Sequence, residues 1–345
     1  MNFRRSSAAP RAVAWWLLGC CALVFLMVVV GGVTRLTHSG LSITEWQPIV
    51  GTLPPLSDAD WQAAFSKYRE TPEYREVNRG MTLAAFQGIF WWEYFHRLLG
   101  RAIGIAFLVP LVFFALRGKL PAGRLPGLVG IFVLGALQGA LGWYMVKSGL
   151  VDDPRVSQFR LTAHLLLAFV IFAAMFWTAL SLLDPLPPGY RTERERALRR
   201  FSLVVIASVL LMVATGGLVA GIRAGFAYNT FPLMNGALVP PELLMLTPWW
   251  RNLFWNMATV QLAHRAVALL VAVLVLVLWA RVTAAPGIPA RARVGVHLFV
   301  GLLAVQIALG IATLLLVVPL PLAAAHQAGA VIVFAAALNV AHALR

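Results

Sequence analysis

Apolar residues along this chain gather into eight long runs, at 12–33, 90–116, 125–146, 160–183, 201–221, 258–280, 294–317 and 322–343. Each approaches the ~20 residues that a helix needs to cross a bilayer. In hydrocarbon the backbone N–H and C=O groups have no water to bond, so such runs must be helices. The pattern predicts an all-α integral membrane protein with eight transmembrane helices. The run 12–33 follows Arg4, Arg5 and Arg11 and has the outline of a secretion signal. It is long for the apolar core of a signal and is followed by no convincing small-residue cleavage site. A similar segment recurs in the second half of the chain, where it cannot be a signal, so 12–33 is read as the first span.

Composition agrees with the runs. Hydrophobic residues make up 60% of the 345 positions and charged residues only 12%, about half the charge of a soluble domain. The net charge of +15 raises the question of a nucleic-acid partner, but its placement excludes one. Basic residues crowd the short loops on one side: Arg117, Lys119 and Arg124; Arg191 to Arg200; Arg281, Arg291 and Arg293. With the N-terminal arginines and Arg345, that side carries 15 Lys and Arg against 3 Asp and Glu, the other 13 against 10. This is the positive-inside bias. It predicts a multi-pass protein of a bacterial inner membrane with both termini in the cytoplasm.

The opposite loops hold more structure. Ser57, followed by Asp58 and Asp60, is a helix-start signal. Trp61, Phe65 and Tyr68 then share one helical face, which predicts a short helix lying along the membrane surface. Trp91, Trp92, Trp249, Trp250 and Trp255 stand near helix entrances, as in an aromatic belt.

The chain also repeats itself. Gly31-Gly32-Val33 is answered by Gly216-Gly217-Leu218, and Thr52-Leu53-Pro54-Pro55 by Leu238-Val239-Pro240-Pro241. His96-Arg97 is answered by His264-Arg265, and Gln138-Gly139-Ala140-Leu141-Gly142 by Gln306-Ile307-Ala308-Leu309-Gly310. His164 is answered by His326. Four spans in each half make the repeat parallel, so two pseudo-symmetric four-helix bundles are expected, over residues 1–190 and 191–345.

The four histidines carry the chemistry. An ionisable side chain in a span is costly unless it is used. His96, His164, His264 and His326 each head a span running from the outer face inward, so the two of each half stand at similar depth. A flat macrocycle would slot between them, its iron taking a neutral imidazole nitrogen on each face. Arg97 and Arg265 follow the first histidine of each pair, where a guanidinium could fork a propionate or snorkel to headgroups. His38, His297 and His342 lack such pairing and are read as non-ligands. Glu93 lies three residues before His96 and so on the same helical face, whereas Gln261 holds the matching place before His264. A carboxylate in one half alone suggests that the first half performs chemistry and the second keeps a permanent cofactor. Glu93 is the candidate catalytic residue, as a base or as a stabiliser of positive charge; the alternative is an exposed interfacial acid paired with Arg97 or Arg101. Cys20 and Cys21 lie inside the first run, and no CxxCH motif for covalent haem attachment is present.

The stretch Gly31-Gly32-Val33-Thr34-Arg35-Leu36-Thr37 leads into Ser39-Gly40-Leu41-Ser42, then Trp46, Pro48, Gly51 and Pro54-Pro55. With Glu93-Tyr94-Phe95-His96-Arg97-Leu98-Leu99-Gly100-Arg101, Gln138 to Trp143 and His164, it resembles the haem A synthase family, in the branch shared by alphaproteobacteria and mitochondria. The resemblance covers nearly the whole chain. It implies oxidation of the C8 methyl of haem O to a formyl group, giving haem A for terminal oxidase biogenesis. It also implies substrate haem between His96 and His164, and haem b between His264 and His326. Haem O synthase, cytochrome oxidase assembly factors and an electron donor or acceptor are implied as partners. Some bacterial members carry a cysteine pair in an outer loop; this chain has none there, which matches the cysteine-free branch. The rival readings are a di-haem b electron-transfer cytochrome and a small-molecule transporter. The transporter would place its polar residues nearer the bilayer centre.

Overall fold

The computed structural model describes residues 8–45, 50–150, 154–185 and 192–345. Arg4, Arg5, Trp46, Pro48 and Arg191 of the patterns above lie outside them. Eight helices are long and apolar enough to cross a membrane. They are α1 (Ala8–Leu36), α4 (Leu83–Leu116), α5 (Leu125–Lys147), α6 (Gln158–Leu183), α7 (Glu193–Gly221), α9 (Met257–Ala284), α10 (Ala290–Leu315) and α11 (Leu320–Ala343). Three short helices lie in loops on the face opposite the two chain ends, the face named outer in the sequence reading: α2 (Asp58–Arg69), α3 (Pro72–Glu76) and α8 (Asn252–Trp255). Among the described residues there is no strand, only an isolated bridge between Met234 and Ala237. All eight runs are therefore helices, several extended by a turn or more beyond their apolar limits.

Side-chain caps set several helix starts, each satisfying backbone N–H groups that a first turn leaves free. Ser57 and Asp60 form a reciprocal capping box at α2, and Thr192 and Glu195 form another at α7. Thr82 Oγ1 accepts from Ala85 N at α4, and the Asn256 side chain accepts from Ala258 and Thr259 at α9.

In the first half, α1 packs on α4 and α6, and α5 lies between α4 and α6. In the second, α7 packs on α9 and α11, and α10 lies between α9 and α11. The halves meet where α6 touches α7 and α11, and where α1 touches α11. One apolar core runs through both, with Phe169 of α6 against Phe334 of α11 at a 5.2 Å ring separation. The outward faces, including Ile105, Val109, Val133, Leu269 and Leu298, remain exposed for lipid.

Two places differ from the sequence reading. The aromatic face of α2 does not rest on the membrane. Trp61, Phe65 and Tyr68 are buried against Phe86, Phe90 and Tyr94 of α4, with Trp61 and Phe90 rings 4.9 Å apart. The reason is that α4 begins at Leu83, about two turns before its apolar run, and supplies an aromatic ridge that protein can cover. For the same reason His96 does not head its helix. His164, His264 and His326 lie within about two turns of their helix starts, whereas His96 lies more than three turns along α4. Measured from the inner ends the four agree, with roughly 17–20 residues, about 26–30 Å, beyond each.

A polar knot ties the inner ends of α6, α10 and α11. Arg291 Nη1 is 2.6 Å from Asp184 Oδ2, and Arg291 Nη2 donates to Asn339 Oδ1 at 2.6 Å. Arg345 donates to Ser181 Oγ at 2.9 Å and to the Asp184 carbonyl. His342 is buried in this knot, 3.2 Å from Ser181 Oγ and edge-on to Trp177. A packing role accounts for it.

Candidate functional site

Each of the four histidines lies against a glycine of the neighbouring helix. A Cβ on Gly31 of α1 would stand 2.9 Å from His96 Nε2 of α4. A Cβ on Gly142 of α5 would stand 2.9 Å from His164 Cε1 of α6. In the second half, Gly216 of α7 meets His264 Cε1 at 3.3 Å, and Gly310 of α10 meets His326 Cε1 at 2.8 Å. A methyl group at three of these four positions would clash with the ring, so the bare glycine is what admits an imidazole between helices. His96 differs in presenting Nε2 rather than Cε1 to its glycine. All four histidines thus share one setting, each backed by a glycine of the next helix.

Sequence reasoning missed two glutamines. Gln138 Nε2 donates to the main-chain carbonyl of His164 at 3.0 Å and reaches to 3.4 Å from its Nε2. Gln306 Nε2 donates to the carbonyl of His326 at 2.8 Å. Glutamine and glycine are four residues apart in both helices, so one face grips the histidine backbone and receives its ring. The repeated QxALG segments were visible; the partner they serve was not. Four polar atoms in matching positions are buried without a hydrogen bond: His164 Nδ1, His326 Nδ1, Gln138 Oε1 and Gln306 Oε1. Thr215 Oγ1 lies 2.9 Å from His264 Nδ1. An unpartnered ring nitrogen on His164 and on His326, each between apolar helices, fits a residue that would hold haem iron. No group of three or more His, Cys, Asp or Glu that could hold a bare metal ion occurs among the described residues.

Glu93 is buried, at 2% exposure. Its Oε1 accepts from Arg97 Nε at 3.1 Å and Nη2 at 2.7 Å. Its Oε2 accepts from Ser42 Oγ and from Ile43 N, both at 2.8 Å. Arg97 also donates to the carbonyls of Ile43 at 2.8 Å and Glu45 at 3.0 Å. The Glu93–Arg97 pair is therefore a latch that holds the first outer loop onto α4. The second half repeats it with a neutral acceptor. Arg265 donates to Gln261 Oε1 at 2.9 Å and to the carbonyls of Tyr228, Thr230 and Pro232, while Gln261 Nε2 donates to Ala224 O at 2.8 Å. The two latches differ by one charge, neutral in the first half and positive in the second. Most guanidinium donors described here are spent on loop carbonyls, a use that neither propionate binding nor snorkelling anticipated.

Of the other histidines, His38 follows α1 with φ +55° and accepts at Nδ1 from Arg223 Nη2 at 3.1 Å. Burial, then the Arg223 and Arg35 charges, hold its pKa below the usual histidine value. His297 accepts at Nδ1 from Trp279 Nε1 at 3.0 Å on an exposed face. Glu73 of α3 is buried with Oε2 unpartnered, and burial, reinforced by Glu93, pushes its pKa up to about 7. Cys20 and Cys21 are buried in α1.

These features define a class: a multi-pass helical membrane protein with two pairs of glycine-backed histidines near one face. The comparisons narrow it further. The model of the COX15-CtaA family, cytochrome oxidase assembly protein, matches residues 14–338, and the chain belongs to that family. It is 60% identical over 338 residues to the Heme A synthase of Nitrosospira multiformis, covering 98% of this chain and 95% of that one. It is 55% identical to the Heme A synthase of Nitrosomonas eutropha, over 94% and 92% of the two chains. With the Heme A synthase of Parvibaculum lavamentivorans it shares 49% identity over 99% and 96%.

Proposed function

We propose that this protein makes haem A by oxidising the C8 methyl of haem O to a formyl group. In this reading the first half, residues 1–190, holds substrate between His96 and His164, and the second, residues 191–345, holds haem b between His264 and His326. The two halves act as related four-helix bundles. The observation that carries the reading is the pairing of glycine-backed imidazoles in each half of a chain 60% identical to a Heme A synthase. Taking a methyl to an aldehyde removes four electrons and adds one oxygen atom. Haem b, when bound, supplies a one-electron relay toward an external carrier.

The residues of this chain bind and orient. His96 and His164 fix the macrocycle between α4 and α6, and the apolar helix faces exclude water. Glu93 stands one turn from His96, and its two oxygens already face four donors. A carboxylate held on both oxygens is fixed in place, which favours charge stabilisation over general-base work. Its charge is offset by Arg97, so the electrostatic influence on substrate is that of an oriented ion pair. Because Gln261 leaves Arg265 unneutralised, the second site is the more cationic. That suits retention of propionates and favours the reduced state of a haem there.

The protein is read as residing in the bacterial inner membrane with both termini cytoplasmic. Haem O synthase and oxidase assembly factors are the expected neighbours. Extraction of pigment from membranes of cells making haem O tests the reading. Haem A should be present with the parent protein and sharply reduced with Glu93→Ala, while haem b stays bound. His264→Ala should instead deplete haem b. Two unmodified haems b, and no haem A, would favour the electron-transfer cytochrome.

A further inference from the structure

The two halves treat their first histidine differently. Repeat-related glycines back the two rings, Gly31 behind His96 and Gly216 behind His264. The residue just before each glycine is not the same: Val30 in α1, Thr215 in α7. Thr215 Oγ1 donates to the Met212 carbonyl at 3.0 Å and lies 2.9 Å from His264 Nδ1. Valine has no polar group to offer, and among the described residues no hydrogen bond reaches a ring nitrogen of His96.

The hydroxyl decides the tautomer of His264. A carbonyl oxygen can only accept, so the single hydroxyl hydrogen of Thr215 goes to Met212. What Thr215 turns to the imidazole is a lone pair, and His264 Nδ1 therefore carries the hydrogen. In the neutral ring Nε2 then keeps its lone pair, which no hydrogen bond among the described residues uses. The two rings also sit differently. His264 turns Cε1 to Gly216, 3.3 Å from the Cβ position, with Nδ1 at 3.9 Å, whereas His96 turns Nε2 to Gly31 at 2.9 Å. A ring held at Nδ1 cannot turn without breaking that bond; a ring beside valine gives up no hydrogen bond by turning.

We propose that Thr215 is a positioning residue for haem b: it accepts Nδ1–H from His264 and so presents the Nε2 lone pair to the iron. The inference rests on the reading that His264 and His326 ligate haem b, and it deepens that reading. A pre-set ligand suits a haem that stays, and an unheld one, His96, suits a haem that arrives and leaves. An imidazole that donates Nδ1–H to oxygen is the stronger electron donor and stabilises ferric iron. Thr215 thus holds down the haem b potential, in opposition to the Arg265 charge.

The test uses the full-length, haem-loaded protein, with haem b followed by redox titration and by low-spin ferric electron paramagnetic resonance. Thr215→Val installs the residue of the first half and keeps the side-chain shape. Thr215→Ser keeps the hydroxyl and loses the methyl. Thr178→Val is the control, since its hydroxyl bonds the Ala174 carbonyl at 2.7 Å near the inner end of α6. The expected result is a raised haem b potential and an altered signal for Thr215→Val and Thr215→Ala, with Thr215→Ser and Thr178→Val matching the parent. Loss of haem b from Thr215→Val but not from Thr215→Ser counts on the same side. If His264→Ala strips haem b while Thr215→Val leaves potential and signal unchanged, the positioning role is wrong. It is equally wrong if Thr215→Ser or Thr178→Val shifts as far as Thr215→Val. A lowered potential in Thr215→Val overturns the tautomer. If His264→Ala keeps haem b with an unchanged signal, the ligand reading itself fails.

Discussion

Replacing Arg97 by alanine probes the latch that joins the first outer loop to α4. The side chains of Arg97 and Glu93 are 17% and 3% exposed, and their closest contact is 2.7 Å. Removal of Arg97 leaves the Glu93 carboxylate buried with only Ser42 Oγ and Ile43 N as donors, and strips the carbonyls of Ile43 and Glu45 of theirs. Breaking a buried pair from one side costs about 3–5 kcal/mol. Arg97 keeps some access to solvent, so about 3 kcal/mol is the apt end, equivalent to roughly a hundredfold in an opening equilibrium. The cost falls on the loop rather than on the spans, whose backbone bonds are internal. Hydrogen exchange followed by mass spectrometry should show segment 37–45 exchanging on the order of 100-fold faster, with α6 and α7 unchanged. Arg265→Ala leaves a neutral Gln261 behind, at a cost of about 1–2 kcal/mol and roughly tenfold faster exchange near 228–232. Equal effects in the two halves, or unaltered protection at Ile43 in Arg97→Ala, would refute the argument that an abandoned buried charge is what costs.

Two pH dependences follow from groups in the outer region. Glu73 has a folded pKa of about 7, above its unfolded value, because burial disfavours the anion. Its contribution is fully present below the unfolded pKa and is lost as pH rises through 7. Glu73→Gln should therefore melt at a higher temperature than the parent at pH 8.5 and converge with it toward pH 5, measured by thermal unfolding in detergent. His38 has the opposite sign. Its pKa is depressed in the fold, chiefly by burial and then by Arg223 and Arg35, so its contribution is present above the ordinary histidine value and lost as pH falls below it. Against a Glu73→Gln background, stability should decline from pH 7 to pH 5, and Arg223→Ala should flatten that slope; an unchanged slope would remove His38 from the account.

How much of the site could be read beforehand differs from residue to residue. His96, His164, His264 and His326 were visible because an imidazole is conspicuous in an apolar run and these recur at matched spacings. Glu93 was visible as the odd member of the Glu93/Gln261 pair, but its burial and its hold on Ser42 and Ile43 were not, since those partners lie some fifty residues away. Gly142 and Gly310 were visible as parts of a repeated segment. Their contact with an imidazole of the next helix was hidden, because a glycine on a span has the same local signature whether it faces lipid or a ring. The α2 helix was located correctly from its cap, and its aromatic face was assigned to the wrong partner because α4 reaches beyond its apolar run.

The count and approximate extent of the spans needed no third dimension. A helix in hydrocarbon must satisfy its own backbone, so its existence is written in its own apolar length, and the basic loops fall on one side by a rule equally local. Lateral order is another matter. These helices are apolar nearly all round, so no polarity contrast marks which face meets a neighbour and which meets lipid. Only packing decides that α4 lies against α1, that α5 lies against α6, and hence that bare glycine backbone stands opposite each imidazole.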